Sequence, residues 1–162
     1  MKTIIIDGVE YNLTPKAAFH EGDWCIDNED GTIFQIVKVL DKTYKYRTNE
    51  GKEYSCTHYS LEFDARLWNI SDAKEGDVIV NGSNIFIFHF INDTRLMGYC
   101  HVNTDDGRFY DDIGKNECFC LIDAVVNPAT KEQCDTLMKA MADAGFIFDF
   151  EKKVLMKIEN KT

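Results

Sequence analysis

Six cysteines and four histidines carry the widest potential chemistry in this chain. Cys100-His101 and Cys118-Phe119-Cys120 come nearest to a metal-binding pattern. A Cys-x-Cys pair on a strand places both thiols on one face, because side chains alternate. Structural zinc sites want Cys-x-x-Cys or similarly paired Cys and His spacings, and these are absent. The cysteines therefore read as small buried hydrophobes, with no metal and no cofactor expected. Six cysteines would allow 15 disulfide connectivities, and no secretory pattern favours any of them. All six are expected to be reduced. Cys56-Thr57-His58 offers a thiol and an imidazole at i, i+2. A nucleophilic cysteine also needs an oxyanion hole and a third group to orient the base. Neither is visible, and there is no phosphate-binding glycine loop, serine elbow or His-Glu-x-x-His motif. The chain is expected not to be an enzyme. His89, inside an apolar run, reads as a core or half-exposed histidine.

Carboxylates cluster at Asp105, Asp106, Asp111 and Asp112 around a Gly107 turn. Calcium would use such oxygens, but the spacing does not fit an EF-hand loop. A solvated turn is the simpler reading. Asp72 and Asp77 flank a segment in which Ser71 or Asp72 would cap one helical turn and Gly76-Asp77 would start a strand. Exposed aromatics are the other candidate contact groups: Trp24, Tyr44, Tyr46, Tyr54, Tyr59 and Trp68. Tyr44 and Tyr46 share a strand face, with Lys42 and Arg47 nearby. Aromatics beside a positive groove would stack single-stranded nucleic acid. Aromatics without that charge anchor protein interfaces instead. Core positions are expected for Trp24 and Trp68; Tyr44, Tyr46, Tyr54 and Tyr59 are the candidate binding residues, with filling of the small cores an equal alternative for each.

Charge separates these possibilities. The chain has 28 acidic and 18 basic residues, a net charge of −10. Nucleic-acid affinity comes largely from cations neutralising phosphates, so a nucleic-acid partner is disfavoured. Anionic membranes are disfavoured for the same reason. The deficit is uneven: residues 1–66 carry 12 acids and 8 bases, residues 67–127 carry 10 and 4, and residues 128–162 carry 6 of each. Ile4-Ile5-Ile6 is too short for a signal-peptide core and no run reaches the ~20 apolar residues of a membrane helix. A cytoplasmic location is expected.

The elements that would position these groups are mostly strands. With 11 Phe, 7 Tyr and 2 Trp in 162 residues, the composition favours β structure. Asp7-Gly8 between Thr3–Ile6 and Val9–Leu13 is a strong hairpin signal. Asp30-Gly31, Asn49-Glu50-Gly51, Asn81-Gly82 and Asp106-Gly107 separate further strand-like runs, among them Thr32–Leu40 and Asn84–Ile91. Three anchors recur in order at offsets of 52 to 56 residues. Glu21-Gly22-Asp23 matches Glu75-Gly76-Asp77, Ile33-Phe34 matches Ile85-Phe86, and Gly51-Lys52-Glu53-Tyr54 matches Gly107-Arg108-Phe109-Tyr110. Such internal similarity predicts a duplication. The fold class read from this is mainly β, with two tandem SH3-like small barrels at residues 17–66 and 67–127. A hairpin at residues 1–16 precedes them. Residues 128–162 form a helix and a hairpin: Thr130-Lys131-Glu132-Gln133 is a capping box, and Leu137, Met138 and Met141 repeat at helical spacing.

Leu67-Trp68-Asn69-Ile70-Ser71-Asp72-Ala73-Lys74-Glu75-Gly76-Asp77-Val78 and Pro128-Ala129-Thr130-Lys131-Glu132-Gln133, the latter followed by Ala144-Gly145-Phe146, resemble a family of uncharacterised proteins from gut Bacteroidetes and their phages. That family pairs an LWTIQDAKDGDVL-like segment with a PATKEQRDLLF-like helix. Cys134 stands where the family often has Arg, Met138 where it has Phe, and Phe148 where it has Trp. The resemblance implies a source and no chemistry. Together these readings predict a non-catalytic binding protein of a gut bacterium or its phage that engages a protein partner. The alternatives are a nucleic-acid-binding SH3-like module, or an acidic mimic of DNA built on Asp105, Asp106, Asp111 and Asp112.

Overall fold

The computed structural model describes residues 2–13, 18–111, 119–121 and 125–159. An N-terminal hairpin joins β1 (Lys2–Ile6) to β2 (Val9–Leu13). Its Asp7-Gly8 turn has both residues at positive φ, as a tight hairpin requires. The first sheet contains β3 (Trp24–Asp27), β4 (Ile33–Val39), β5 (Thr43–Thr48), β6 (Glu53–Thr57) and β7 (Ala65–Leu67). Helix α1 (His58–Asp64) links β6 to β7, and a 3₁₀ turn, Ile70–Asp72, leads onward. The second sheet contains β8 (Val78–Asn81), β9 (Asn84–Asn92), β10 (Arg95–Asn103), β11 (Arg108–Asp111), β12 (Phe119–Leu121) and β13 (Asn127–Pro128). Helix α2 (Lys131–Asp143) and a hairpin of β14 (Phe146–Asp149) and β15 (Val154–Lys157) follow. The molecule is mainly β, and its strand pairings are antiparallel.

The two sheets repeat one plan. The first runs β6-β5-β4-β3-β7 and the second β11-β10-β9-β8-β13, with β12 also on β10. Each begins at a glycine in the left-handed region, Gly22 at φ +91° and Gly76 at φ +93°. Gly22 N–H donates to Ile36 O and Gly76 N–H to Phe88 O, both at 2.8 Å. The next carbonyls, of Asp23 and Asp77, accept from the N–H of Ile36 and Phe88. Each aspartate also holds the preceding turn: Asp23 Oδ2 accepts from His20 N–H and Asp77 Oδ2 from Lys74 N–H, both at 2.8 Å. At the far edge, Trp68 N–H meets Trp24 O and Ala129 N–H meets Val78 O. The Gly-Asp repeat in the sequence thus marks equivalent strand starts.

The sheets differ from the expected barrels in one respect: they are not closed. In the first sheet β6 and β7 are opposite edges, not ladder partners. Helix α1 lies against both, and its Leu61 joins the core there. In the second sheet the partner of β10 is divided, with β11 on residues 100–103 and β12 on residues 95–97.

Three apolar clusters hold these layers together. The inner face of the first sheet buries Cys25, Phe34, Ile36 and Tyr44 with Phe19, Leu61 and Ala65. The inner face of the second buries Ile79, Phe86, Phe88 and Leu96 against Trp24 and Trp68, with Ile26 and Ile33 from the first sheet at its margin. The outer face of the second sheet carries Ile85, Ile87, Cys100 and Val102. Leu137 and Met141 of α2 cover it, together with Phe148 and Leu155 of the last hairpin. The outer face of each sheet is therefore covered by the segment that follows it in sequence. Trp24 and Trp68 are both buried, as their sequence context predicted.

Helix α2 begins at Thr130, whose side chain caps Gln133 N–H while Gln133 caps Thr130 in return. The 3₁₀ turn is capped differently from the expectation. Asn69, not Ser71 or Asp72, is the N-cap, and Asp72 reaches back to Asn69 N–H at 3.0 Å. Asn69 is free to cap because its backbone is extended. Among the described residues no helix is long and apolar enough to cross a membrane.

Candidate functional site

The four tyrosines proposed as contacts lie in very different surroundings. Tyr44 is fully buried, which corrects its reading as a surface group. Its hydroxyl donates to Glu62 Oε1 at 2.6 Å and accepts from Phe19 N–H at 3.2 Å. Burial and the adjacent Glu62 push the phenol up to about 12. Burial alone would raise the Glu62 carboxyl, but Ala18 N–H, the Tyr44 hydroxyl and nearby His58 hold it below its ordinary value. This network ties the chain before β3 to α1. It occupies Tyr44 with structure and leaves nothing for a partner.

Tyr46 sits two residues along on the same inward face, half-buried against Phe34 at a ring separation of 4.8 Å. Tyr54 of β6 is its cross-strand partner, with rings stacked at 5.6 Å and 26°. Tyr54 remains 47% exposed. Lys45 and Arg47 alternate with the tyrosines along β5 and leave by the other face. Arg47 is already held by Glu53 at 2.5 Å.

Tyr59 stands on α1, 81% exposed. One turn later Phe63 is 76% exposed, and the rings stack at 6.4 Å and 17°. Sequence reasoning missed Phe63 because it missed α1. The available signal was Thr57, which caps the helix by accepting from Ser60 N–H. With that cap, Tyr59 and Phe63 fall at i, i+4 on one face. The helix does not drift: Leu61 is buried and Glu62 is bonded to Tyr44 and Ala18.

The acidic cluster resolves into turn chemistry. Asp105 N–H donates to Asn103 Oδ1, and Asp106 accepts from Arg108 N–H through Oδ1 and from the Tyr110 hydroxyl through Oδ2. Asp111 ends β11 half-buried, and Asp112 lies outside the described residues. Among the described residues no three His, Cys, Asp or Glu side chains come close enough to hold a metal ion. Cys118 lies outside the described residues, so the Cys118–Cys120 pair is not part of that statement.

Of the Cys56–His58 pair, the histidine turns to the backbone of β5. His58 Nε2 faces Thr43 O at 3.2 Å, and its ring packs on Tyr44 at 4.3 Å. Burial and the Asp64 charge raise the Cys56 thiol, which opposes thiolate formation. Burial and Asp23 push Cys25 up to about 12, and Cys134 is raised chiefly by burial. Cys25, Cys56 and Cys134 are all free thiols.

A polar cluster absent from the sequence reading joins Glu75, His89 and Tyr99. The Tyr99 hydroxyl donates to Glu75 Oε1, and His89 Nε2 lies 3.4 Å from the same oxygen. The imidazole stacks on the Tyr99 ring at 4.1 Å. Burial and Glu75 push the Tyr99 phenol up to about 12, so it stays a donor at neutral pH. Tyr99 also packs on Phe148, which links the β9–β10 surface to the final hairpin.

Between the tips of the first sheet's hairpins and the loop entering the second sheet lies an open cleft of about 460 Å³. Ile26 and Ile33 line it with Tyr54, and Asp30, Glu50 and Asp77 stand among its polar groups. Comparison with family models, with curated proteins and with solved structures finds no match for this chain.

Proposed function

We propose that this chain is a non-catalytic binding protein of a gut bacterium or its phage, built from two open SH3-like barrels and engaging a protein partner in the cytoplasm. The observation that carries this reading is the Tyr59–Phe63 pair. Two stacked aromatic rings, 81% and 76% exposed, stand on a short helix fixed from beneath by Leu61 and Glu62. Large apolar side chains held in water are unfavourable, by about 25 cal/mol for each Å² that a partner would cover. Aromatic anchors dominate protein interfaces, and a prearranged pair loses little entropy on docking. The repeated five-strand order and the shared Gly-Asp starts support the barrel description. The net charge of −10 and the pairing of Arg47 with Glu53 favour a protein over a nucleic acid. The acidic DNA-mimic reading has weaker support, since both oxygens of Asp106 hold their own hairpin.

Affinity capture from a gut Bacteroidetes lysate, with and without nuclease, tests the proposal. A protein partner that survives nuclease and is lost with the Tyr59→Ser, Phe63→Ser double variant supports it. Loss of every partner on nuclease treatment, or retention of the partner by a folded double variant, overturns it.

A further inference from the structure

We propose that the cleft between the first sheet and the loop entering the second binds the guanidinium of an arginine in a flexible basic segment of a partner. The inference is independent of the α1 aromatics. Its first support is composition. The cleft has an apolar floor, Ile26 and Ile33, and one aromatic wall, Tyr54. Its charged lining is Asp30, Glu50, Asp72 and Asp77 against Lys52 and Lys74, with Asp72 already paired to Arg66. Lys52 is drawn to Glu50 at 3.5 Å. The balance favours a cation.

The second support comes from the repeat. Tyr54 stands three residues after the turn glycine Gly51 and stacks on Tyr46, and Tyr110 stands three residues after the turn glycine Gly107 and stacks on His101 at 4.7 Å. There the guanidinium of Arg108 lies 5.8 Å from the centre of the Tyr110 ring. The second sheet thus supplies its own arginine to the tyrosine that corresponds to Tyr54. The first sheet has Lys52 at the Arg108 position, and Lys52 turns to Glu50. The hairpin tips differ as well. Six residues separate Ile26 from its partner Ile33, but only four separate Val80 from Ile85. In the second sheet Thr104 bridges the two tips, giving both its N–H and its hydroxyl to Ser83 O. The longer turn in the first sheet carries Asp30 at the cleft. A planar guanidinium stacks on an aromatic face while its N–H groups donate to carboxylates, which a compact ammonium does not match.

The test uses the full chain and an end-capped Gly-Ser-Arg-Gly-Arg-Ser-Gly peptide, with citrulline and lysine versions, followed by fluorescence anisotropy. Saturable binding of the arginine peptide is expected, about tenfold weaker for lysine and lost for citrulline. Tyr54→Ala should weaken binding about tenfold and Glu50→Gln about threefold, while Asp143→Asn on α2 leaves it unchanged. Tyr54→Leu serves if the alanine variant melts early. Equal binding of the citrulline peptide, or no saturation up to about 5 mM, near the weak limit of specific recognition, overturns the proposal. So does an equal loss with Asp143→Asn, which would reveal attraction to net charge alone.

Discussion

The two sheets share a backbone plan and fill it with different chemistry. Across the β4–β5 hairpin Val39 faces Tyr44, and across the β9–β10 hairpin Ile91 faces Leu96. At the same inward position, therefore, the first sheet buries a phenol and the second a leucine. Cys25 and Ile79 correspond in the same way, opposite Phe34 and Phe86. The phenol brings Glu62, Phe19 and Ala18 into one hydrogen-bonded network. The leucine needs no such partners and packs among Trp68, Phe86 and Phe88. The first sheet fastens its flanking segments with polar bonds; the second relies on an apolar sandwich with α2 on its outer side. Backbone hydrogen bonds and turn glycines determine the common plan, while side-chain chemistry determines what each sheet can hold against its faces.

The largest expected effect tests that sandwich. Leu137 is fully buried between α2 and the second sheet. Leu137→Ala should cost about 2–5 kcal/mol, read by urea denaturation. A loss below about 0.5 kcal/mol, the level of surface changes, would mean that α2 does not hold the second sheet.

The next test breaks the polar network. Tyr44→Phe keeps the ring but leaves Phe19 N–H without its acceptor and Glu62 without its donor, at a cost of about 1–3 kcal/mol. The variant should also change the response to alkali. Tyr44 in the folded chain titrates at about 12, above its ordinary 10.0. A raised pKa means that its contribution is complete below pH 10 and is lost as pH rises through 12. Tyr99, also at about 12, and Cys25, raised from 9.0 to about 12, add losses in the same direction. Wild-type stability should therefore fall from pH 9 upward, with a shallower fall in Tyr44→Phe. Identical slopes would show that the phenol is not linked to folding.

Thiol reactivity gives a third, smaller contrast. Cys25 is fully buried with its thiol pushed up to about 12, whereas Cys56 is half-buried and less well protected. A maleimide reagent at pH 7.5 should label Cys56 well before Cys25, since both access and thiolate fraction favour it. Peptide mapping that finds Cys25 labelled first would show that the first sheet opens readily.

Much of this plan was legible in the sequence because it rests on local signals. Asp7-Gly8 defined a hairpin, Thr130 with Gln133 defined the start of α2, and Glu-Gly-Asp marked both sheet starts. What stayed hidden depended on long-range contacts. Helix α1 has seven residues, too few for a helical period to show, and is held by Leu61 and a bond from Glu62 to Tyr44, 18 positions away. The same bond explains why Tyr44 read as a surface group: alternation along β5 puts Tyr44 and Tyr46 on one face, but only the fold reveals that the face is the inner one. The Glu75–His89–Tyr99 cluster joins three elements, and the cleft needs two hairpin tips and a loop. Spacing along the chain carries no trace of either.

The smallest expected difference asks whether the two sheet starts are energetically the same. Gly22 and Gly76 share a φ near +90°, which an L side chain enters at about 1–2 kcal/mol. Their surroundings differ. A Cβ on Gly22 would meet open space, whereas one on Gly76 would meet Lys153 of the last hairpin, with Nζ at 2.6 Å and Cδ at 3.2 Å. Those atoms belong to a flexible side chain that can swing away, so the contact adds little to the backbone term. Gly22→Ala and Gly76→Ala should thus destabilise by similar amounts, about 1–2 kcal/mol each, in parallel denaturation curves. The pair should also be additive in the double variant, because the two glycines bond to different partners, Ile36 and Phe88. If Gly76→Ala costs several times more than Gly22→Ala, Lys153 is fixed against that turn and the second sheet start depends on the C-terminal hairpin. Restoration of parity by Lys153→Ala would then assign the excess to that one side chain.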